Sequence, residues 1–236
     1  MFTLFFVDDL PTTVGAHYEF ANEDANHAIR VLRMQAGAEF MLSDGQGSWS
    51  QVKAFAVKKK SLEVEVMASG FQEALPTTIT VVQALPKSDR AKEAIELLTE
   101  AGVDRIVPWQ ASCSIGKVSE KFSVTAREAS KQSRRLRIPE VTDIATTQQI
   151  CEAIKLSDLA IVFHESTTTK LSDAISSHNV ASLLVIIGPE GGITPTELDQ
   201  FIEAGAKVAL MGRPILRSAH AGISAVAAIS ALLKVW

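Results

Sequence analysis

The sequence predicts an α/β protein: a mostly parallel sheet, covered by helices on both faces, preceded by a small β-rich domain. Three observations carry this reading. Strand-like and helix-like segments alternate from Thr78 onward, the pattern of a parallel sheet with crossover helices. Residues 1 to about 70 instead show short alternating runs separated by turn residues. Finally, the apolar run Ser182 to Ile187 reads as a buried strand, and it leads into Gly188-Pro189-Glu190-Gly191-Gly192. Thr194-Pro195-Thr196-Glu197 then has capping-box spacing with proline at the first helical position. A glycine-rich loop thus sits between a strand's carboxyl end and a helix, where open α/β sheets place ligands.

In the β-rich part, Phe2 to Val7 is a strand, and Glu39 to Ser43 runs into the turn-forming Asp44-Gly45-Gln46-Gly47. Trp49 to Val57 and Ser61 to Met67 alternate around Lys58-Lys59-Lys60. Asn26 to Met34 reads as a short helix carrying Arg30 and Arg33. Gln72 to Thr77 contains Pro76 and is the linker. Beyond it, Ile79 to Leu85 is a strand and Asp89 to Ala101 a helix stopped by Gly102. Arg105 to Trp109 is a strand, and Ser119 to Arg135 and Thr147 to Lys155 are helices. Asp158 to Phe163, Ser182 to Ile187 and Lys207 to Met211 are strands. Ala221 to Trp236 is apolar on nearly all sides with one charge, Lys234, as expected of a core helix or a subunit interface.

Composition narrows the function classes. Hydrophobic residues make up 47% of 236 residues, enough for a sizeable core, and no apolar run is long enough to span a bilayer. The N-terminus has no positive leader. Cys113 and Cys151 lie far apart, which suits a reducing cytosol and matches no metal or redox motif. The formal net charge of −4 does not itself suggest a nucleic-acid partner. Local clustering does. Arg127 to Arg137 holds five basic residues against one acid, and on a helix Arg127, Lys131, Arg134 and Arg135 would share one side. Arg30 and Arg33 form a second, weaker patch.

Three strand ends can wall one pocket: Phe163-His164-Glu165, Gly188 to Gly192, and Met211 to Arg217. No phosphate-cradling G-x-x-x-x-G-K-[ST], no dinucleotide G-x-G-x-x-G and no G-x-S-x-G nucleophile elbow is present. What remains is a pocket built largely from backbone groups, suited to a compact polar cofactor. His17, His27 and His178 fall in loops or short helices as surface or capping residues. His164 and His220 lie beside the pocket, with structural and catalytic roles both open.

Gly188-Pro189-Glu190-Gly191-Gly192 followed by Gly212-Arg213-Pro214-Ile215-Leu216-Arg217 resembles the C-terminal knot of SPOUT-class RNA methyltransferases. The specific match is to the family that methylates N3 of a uridine in small-subunit ribosomal RNA. The resemblance extends through Ala84 to Arg90, Glu100 to Pro108, Gln132 to Val141 and His27 to Arg33, in the family's order over nearly the whole chain. It implies a PUA-like RNA-binding β-barrel over 1–72 and a SPOUT domain with a trefoil knot over 77–236. It also implies a homodimer joined at the knots, acting on 16S ribosomal RNA or the small subunit. With the cysteine usage, the short apolar runs and the lack of any His/Cys/Asp cluster of metal-ligand spacing, a cytoplasmic protein without membrane or metal is expected. S-adenosylmethionine would be held around Phe163, His164 and Glu165, around Ile187, Gly188, Pro189, Glu190 and Gly191, and around Met211, Gly212, Ile215 and Leu216. RNA would be gripped by Arg30, Arg33, Arg134, Arg135 and Arg137.

The chain departs from the family at one place. Where the family often reads Leu-Arg-Thr-Glu-Thr-Ala, this sequence has Leu216-Arg217-Ser218-Ala219-His220-Ala221, so the acidic residue is missing. Uridine N3 must lose a proton before it is a good nucleophile. Arg217 is therefore expected to stabilise the negative charge on the uracil oxygens, and His220 or water to take the proton. Two alternatives stay open: a SPOUT enzyme with another RNA target, and a non-catalytic RNA-binding factor of ribosome assembly.

Overall fold

The computed structural model describes residues 2–87, 90–116, 121–175 and 179–235. The chain forms two compact units, Met1–Ala74 with Ser130–Ile138, and Leu75–Ala129 with Pro139–Trp236.

The first unit is a five-stranded sheet. Its strands are β1 (Leu4–Phe6), β2 (His17–Phe20), β3 (Glu39–Ser43), β4 (Ser48–Val57) and β5 (Leu62–Phe71), in the order β1-β3-β4-β5-β2. Alternation drives it: Val52, Ala54, Leu62, Val64 and Val66 point inward, and the residues between them face out or are half-covered. Phe5, Phe20 and Phe40 form the aromatic centre, with ring centroids 5.3 to 5.7 Å apart. Helix α1 (Glu23–Arg30) lays Ala25 and Ala28 on this core, and the Asn22 side chain caps it by accepting from the Ala25 N–H at 3.0 Å.

The segment Ser130–Ile138 completes this unit. Lys131 Nζ lies 2.6 Å from Asp24 of α1, both largely buried. Gly47 N–H donates to Leu136 O and Ile138 N–H to Gly45 O, and the Ile138 side chain fills the space a Cβ on Gly45 would need. The Arg137 guanidinium donates twice to Gln72 O, at 3.1 and 2.9 Å, and sits 5.1 Å over the Phe71 ring.

The second unit is a six-stranded sheet in which every pairing is parallel. Its members are β6 (Thr78–Ala84), β7 (Arg105–Trp109), β8 (Glu140–Val141), β9 (Leu159–Phe163), β10 (Ser182–Ile187) and β11 (Lys207–Ala209), in the order β11-β9-β10-β6-β7-β8. Successive side chains of a strand serve opposite faces. Leu183, Val185 and Ile187 of β10 join one core, and Leu184 and Ile186 the other. The first core is covered by α2 (Arg90–Glu100), the N-terminal part of α3 (Phe122–Ser133), α5 (Leu171–Ala174) and α7 (Ser218–Leu233). The second is covered by α4 (Thr147–Leu156) and α6 (Pro195–Glu203), where Trp109 and Phe201 meet edge to face at 5.3 Å. Among the described residues no helix is long and apolar enough to cross a membrane.

Several expectations need correction. His17 lies in strand β2, not in a loop or helix, and stacks on Phe55 with ring centroids 4.7 Å apart. The helix expected over Asn26 to Met34 is shifted: Asn22 supplies the cap and the helix is over by Val31. Arg33 therefore lies beyond it, with φ of 53°. The basic stripe expected along one helix is broken, because α3 ends at Ser133 and Arg134 turns left-handed with φ of 59°. Arg134 and Arg135 thus leave the face that Arg127 and Lys131 share. Ser88, Asp89, Ser119 and His178 lie outside the described residues.

Candidate functional site

Strands β11, β9 and β10 are neighbours running the same way, so the loops leaving their carboxyl ends meet on one rim. They enclose a cavity of about 680 Å³, a size suited to a small ligand. Phe163, His164 and Glu165 line it from the end of β9, and Ile187 to Ile193 from the end of β10. Leu210 to Arg217, from the loop after β11, complete the wall with Ser218 and Ala221 of α7. The structure thus brings together Phe163, His164, Glu165, Ile187, Gly188, Pro189, Glu190, Gly191, Met211, Gly212, Ile215, Leu216 and Arg217. His220 is not on this wall. Its Nε2 lies 3.1 Å from the Glu93 carboxylate, and both side chains are about half exposed.

The glycine loop is shaped by close contacts. Gly192 N–H donates to Pro189 O, closing a tight turn, and Gly192 has φ of 80°, a left-handed conformation that costs glycine little. A Cβ on Gly191 would stand 2.8 Å from Cys113 Cβ, so only glycine admits the Cys113 loop at this distance. The Glu190 carboxylate is turned onto the β6–α2 loop, where it accepts from Lys87 N–H at 3.2 Å and lies 3.7 Å from Arg90.

His164 links two of the walls. Ser166 N–H donates to Nδ1 at 3.1 Å, and since a backbone N–H can only donate, Nδ1 is an acceptor. The proton therefore sits on Nε2, which faces Ile193 O at 3.4 Å. The imidazole thus joins the end of β9 to the loop after β10.

Beneath the same loop lies Glu197, 4% exposed. One carboxylate oxygen accepts from the Ser112 N–H and hydroxyl, at 2.8 and 3.0 Å. The other accepts from the Thr194 N–H and hydroxyl, at 2.9 and 2.7 Å. Burial pushes its pKa up, but the donors from Ser112 and Thr194 together outweigh burial and hold it below the ordinary glutamate value. The capping box was legible as a helix start; its second grip, on Ser112, was not. Gln83 carries no signal of charge or spacing, and Ser218 stands out in the sequence only within the Leu216 to Ala221 run, with no role attached to it.

The five arginines expected to grip RNA fall into two groups. Arg30, Arg33 and Arg134 are exposed and make no ion pair among the described residues. Arg137 is half-buried and spends its donors on Gln72, and Arg135 is half-buried too.

A family model described as an RNA methyltransferase domain matches residues 73–230, and one described as an RNA methyltransferase PUA domain matches residues 20–67. A relative from Mycobacterium bovis, named ribosomal RNA small subunit methyltransferase E, is 34% identical over 99% of this chain and 93% of its own length. The chain belongs to the ribosomal RNA small subunit methyltransferase E family. A Bacillus subtilis member of that name is 27% identical over 95% of this chain and 91% of its own. The crystal structure of the Neisseria gonorrhoeae member, bound to S-adenosyl methionine, shares 25% identity with a TM-score of 0.87, covering 98% of each chain.

Proposed function

We propose that this chain transfers a methyl group from S-adenosylmethionine to N3 of a uridine in 16S ribosomal RNA. The observation that carries the reading is the cavity at the carboxyl ends of β9, β10 and β11, in a chain of this family. Its walls fit the cofactor. Phe163, Ile187, Met211, Ile215 and Leu216 offer apolar surface for an adenine and for methylene groups, and the glycine loop brings backbone close without side chains in the way. The Neisseria gonorrhoeae relative carries this same ligand. The N3 position rests on the family resemblance of the knot-forming loops.

When bound, S-adenosylmethionine supplies a methyl group on a sulfonium, already activated toward a nucleophile. The protein's work is to hold the base against it and to favour loss of the N3 proton. Arg217 is on the cavity wall, exposed, with no ion pair among the described residues, and stabilises the negative charge that develops on the uracil oxygens. Water takes the proton in preference to His220, which is not on the cavity wall. Ala219, where the family's acidic residue is missing, is 1% exposed and off the wall. The Gly188 to Gly192 loop, intact on the cavity wall, favours an active enzyme over a non-catalytic assembly factor.

Arg30, Arg33 and Arg134 grip RNA phosphates, with Arg135 beside them and Arg137 mainly holding Gln72. The chain works in the cytoplasm as a homodimer through the trefoil knot, with the half-exposed Ala221, Ile223, Ala227 and Ala228 of α7 facing the partner. The test is mass mapping of 16S ribosomal RNA from cells with and without the protein. Loss of one methylated uridine confirms the reading; an unchanged methylation map refutes it.

A further inference from the structure

Gln83 stands one residue before the end of β6, in register with Ile187 of β10, and is 3% exposed. It does not line the cavity. Its Nε2 donates to Ala84 O and to Ser218 Oγ, both at 3.0 Å. A carbonyl oxygen can only accept, so the Ala84 contact fixes which end of the amide faces Ser218. Since Ser218 Oγ accepts from Gln83, its own proton is directed to Gly188 O, 2.7 Å away. Ser218 and Gly188 both stand on the cavity wall, one opening α7 and the other following β10. The peptide after Gly188 has no N–H, because the next residue is Pro189. Its carbonyl is the only polar group by which that peptide can be oriented, and Ser218 holds it.

The other end of the amide has no counterpart. Gln83 Oε1 is buried with no hydrogen-bond partner among the described residues, and it faces Gly222 of α7, where a Cβ would come within 3.3 Å. An unpartnered buried acceptor costs stability, so an apolar side chain of similar size would suit this position better if packing were its only duty.

We propose that Gln83 is a positioning residue for the cofactor cavity: through Ser218 it orients the Gly188–Pro189 peptide and fastens the glycine loop to the start of α7. This rests on the reading of the cavity as an S-adenosylmethionine site. The relay accepts a loss of fold stability in return for a fixed wall.

The experiment is calorimetric titration with S-adenosylmethionine, with thermal melting, of the wild-type chain, Gln83→Met, Ser218→Ala, the double variant and Ser218→Thr. Gln83→Met removes the relay donor and the unpartnered oxygen together. It should melt no lower than wild type and bind the cofactor about five- to tenfold more weakly, the size of one hydrogen bond. Because the relay acts as one unit, the double variant should bind no worse than Ser218→Ala. Ser218→Thr keeps the hydroxyl and should restore affinity. Wild-type affinity in Gln83→Met overturns the proposal, as do losses that multiply in the double variant. A Gln83→Met chain that melts well below wild type does so too, since Gln83 would then be ordinary packing. A wild-type chain that takes up no S-adenosylmethionine removes the cofactor reading and this proposal with it.

Discussion

Glu197 and Ser112, separated by 85 positions in the chain, are joined by two hydrogen bonds to a single carboxylate oxygen, at 2.8 and 3.0 Å. The contact ties the start of α6 to the loop after β7. That loop carries Cys113, against which Gly191 packs. The cavity's glycine loop is therefore braced from behind by an ionised group.

Glu197→Gln would put an amide NH2 where one pair of these donors points, leaving them without an acceptor. The expected cost is about 2–3 kcal/mol of folding stability, read from denaturant unfolding at neutral pH. The pH dependence follows from the lowered pKa. A carboxyl whose folded value lies below its unfolded one stabilises the fold above the unfolded value, about 4.3 for glutamate. That contribution is lost as pH falls through the folded value. Wild type should thus lose stability on acidification below about pH 4.3 more steeply than Glu197→Gln does.

Gly191→Ala tests the packing of the loop. The new methyl would meet Cys113 Cβ at 2.8 Å and Cys113 O at 3.3 Å, and neither atom can rotate away. One of the two loops must shift, at a cost of about 1–3 kcal/mol. S-adenosylmethionine affinity should fall on the order of tenfold or more, a loss of about 1.4 kcal/mol in binding. Unchanged affinity and stability would mean that the loop has slack the structure does not show.

Arg217→Ala should separate chemistry from cofactor binding. If its guanidinium acts on charge that develops only during methyl transfer, kcat should fall about 100-fold or more while S-adenosylmethionine affinity stays near wild type. Single-turnover kinetics on small-subunit ribosomal RNA gives the first number and calorimetry the second. Equal losses in both would make Arg217 a cofactor-binding residue instead.

Replacing Arg30, Arg33 and Arg134 together by alanine should weaken RNA binding without altering cofactor affinity. Three phosphate contacts on single-stranded RNA should reduce the slope of log affinity against log salt by about 2. Arg137→Ala should behave differently, lowering the melting temperature, because its guanidinium holds Gln72 O and covers Phe71.

Much of the second unit was legible because its signals are local. Ser182 to Ile187 is apolar without interruption because both faces of β10 are covered, and Thr194 to Glu197 forms the capping box its spacing announces. The convergence of three loops followed from parallel alternation alone. Less legible were features set by distant partners. Nothing near Arg134 marks a helix end: the residue adopts a left-handed cap usually left to glycine or asparagine, just after Lys131 reaches Asp24. Strand β2 was missed because the short run His17-Tyr18-Glu19-Phe20 buries only Phe20 fully and owes its form to pairing with β5. Gln83 reads as one polar residue in an apolar strand, and its meaning appears only once Ser218 is beside it.

The discontinuity of the first unit has a consequence for how the chain comes into being. Residues up to Ala74 contain all five strands of its sheet, yet Asp24 has no Lys131, Gly45 no Ile138 and Gly47 no Leu136 carbonyl until the chain has been made through Ile138. On the ribosome the N-terminal sheet emerges first but must wait while β6, α2, β7 and α3 are synthesised. A fragment cut after Ala74 would carry the strands and lack their closing segment. The unit that begins the sequence is thus finished only after much of the unit that follows it has been made.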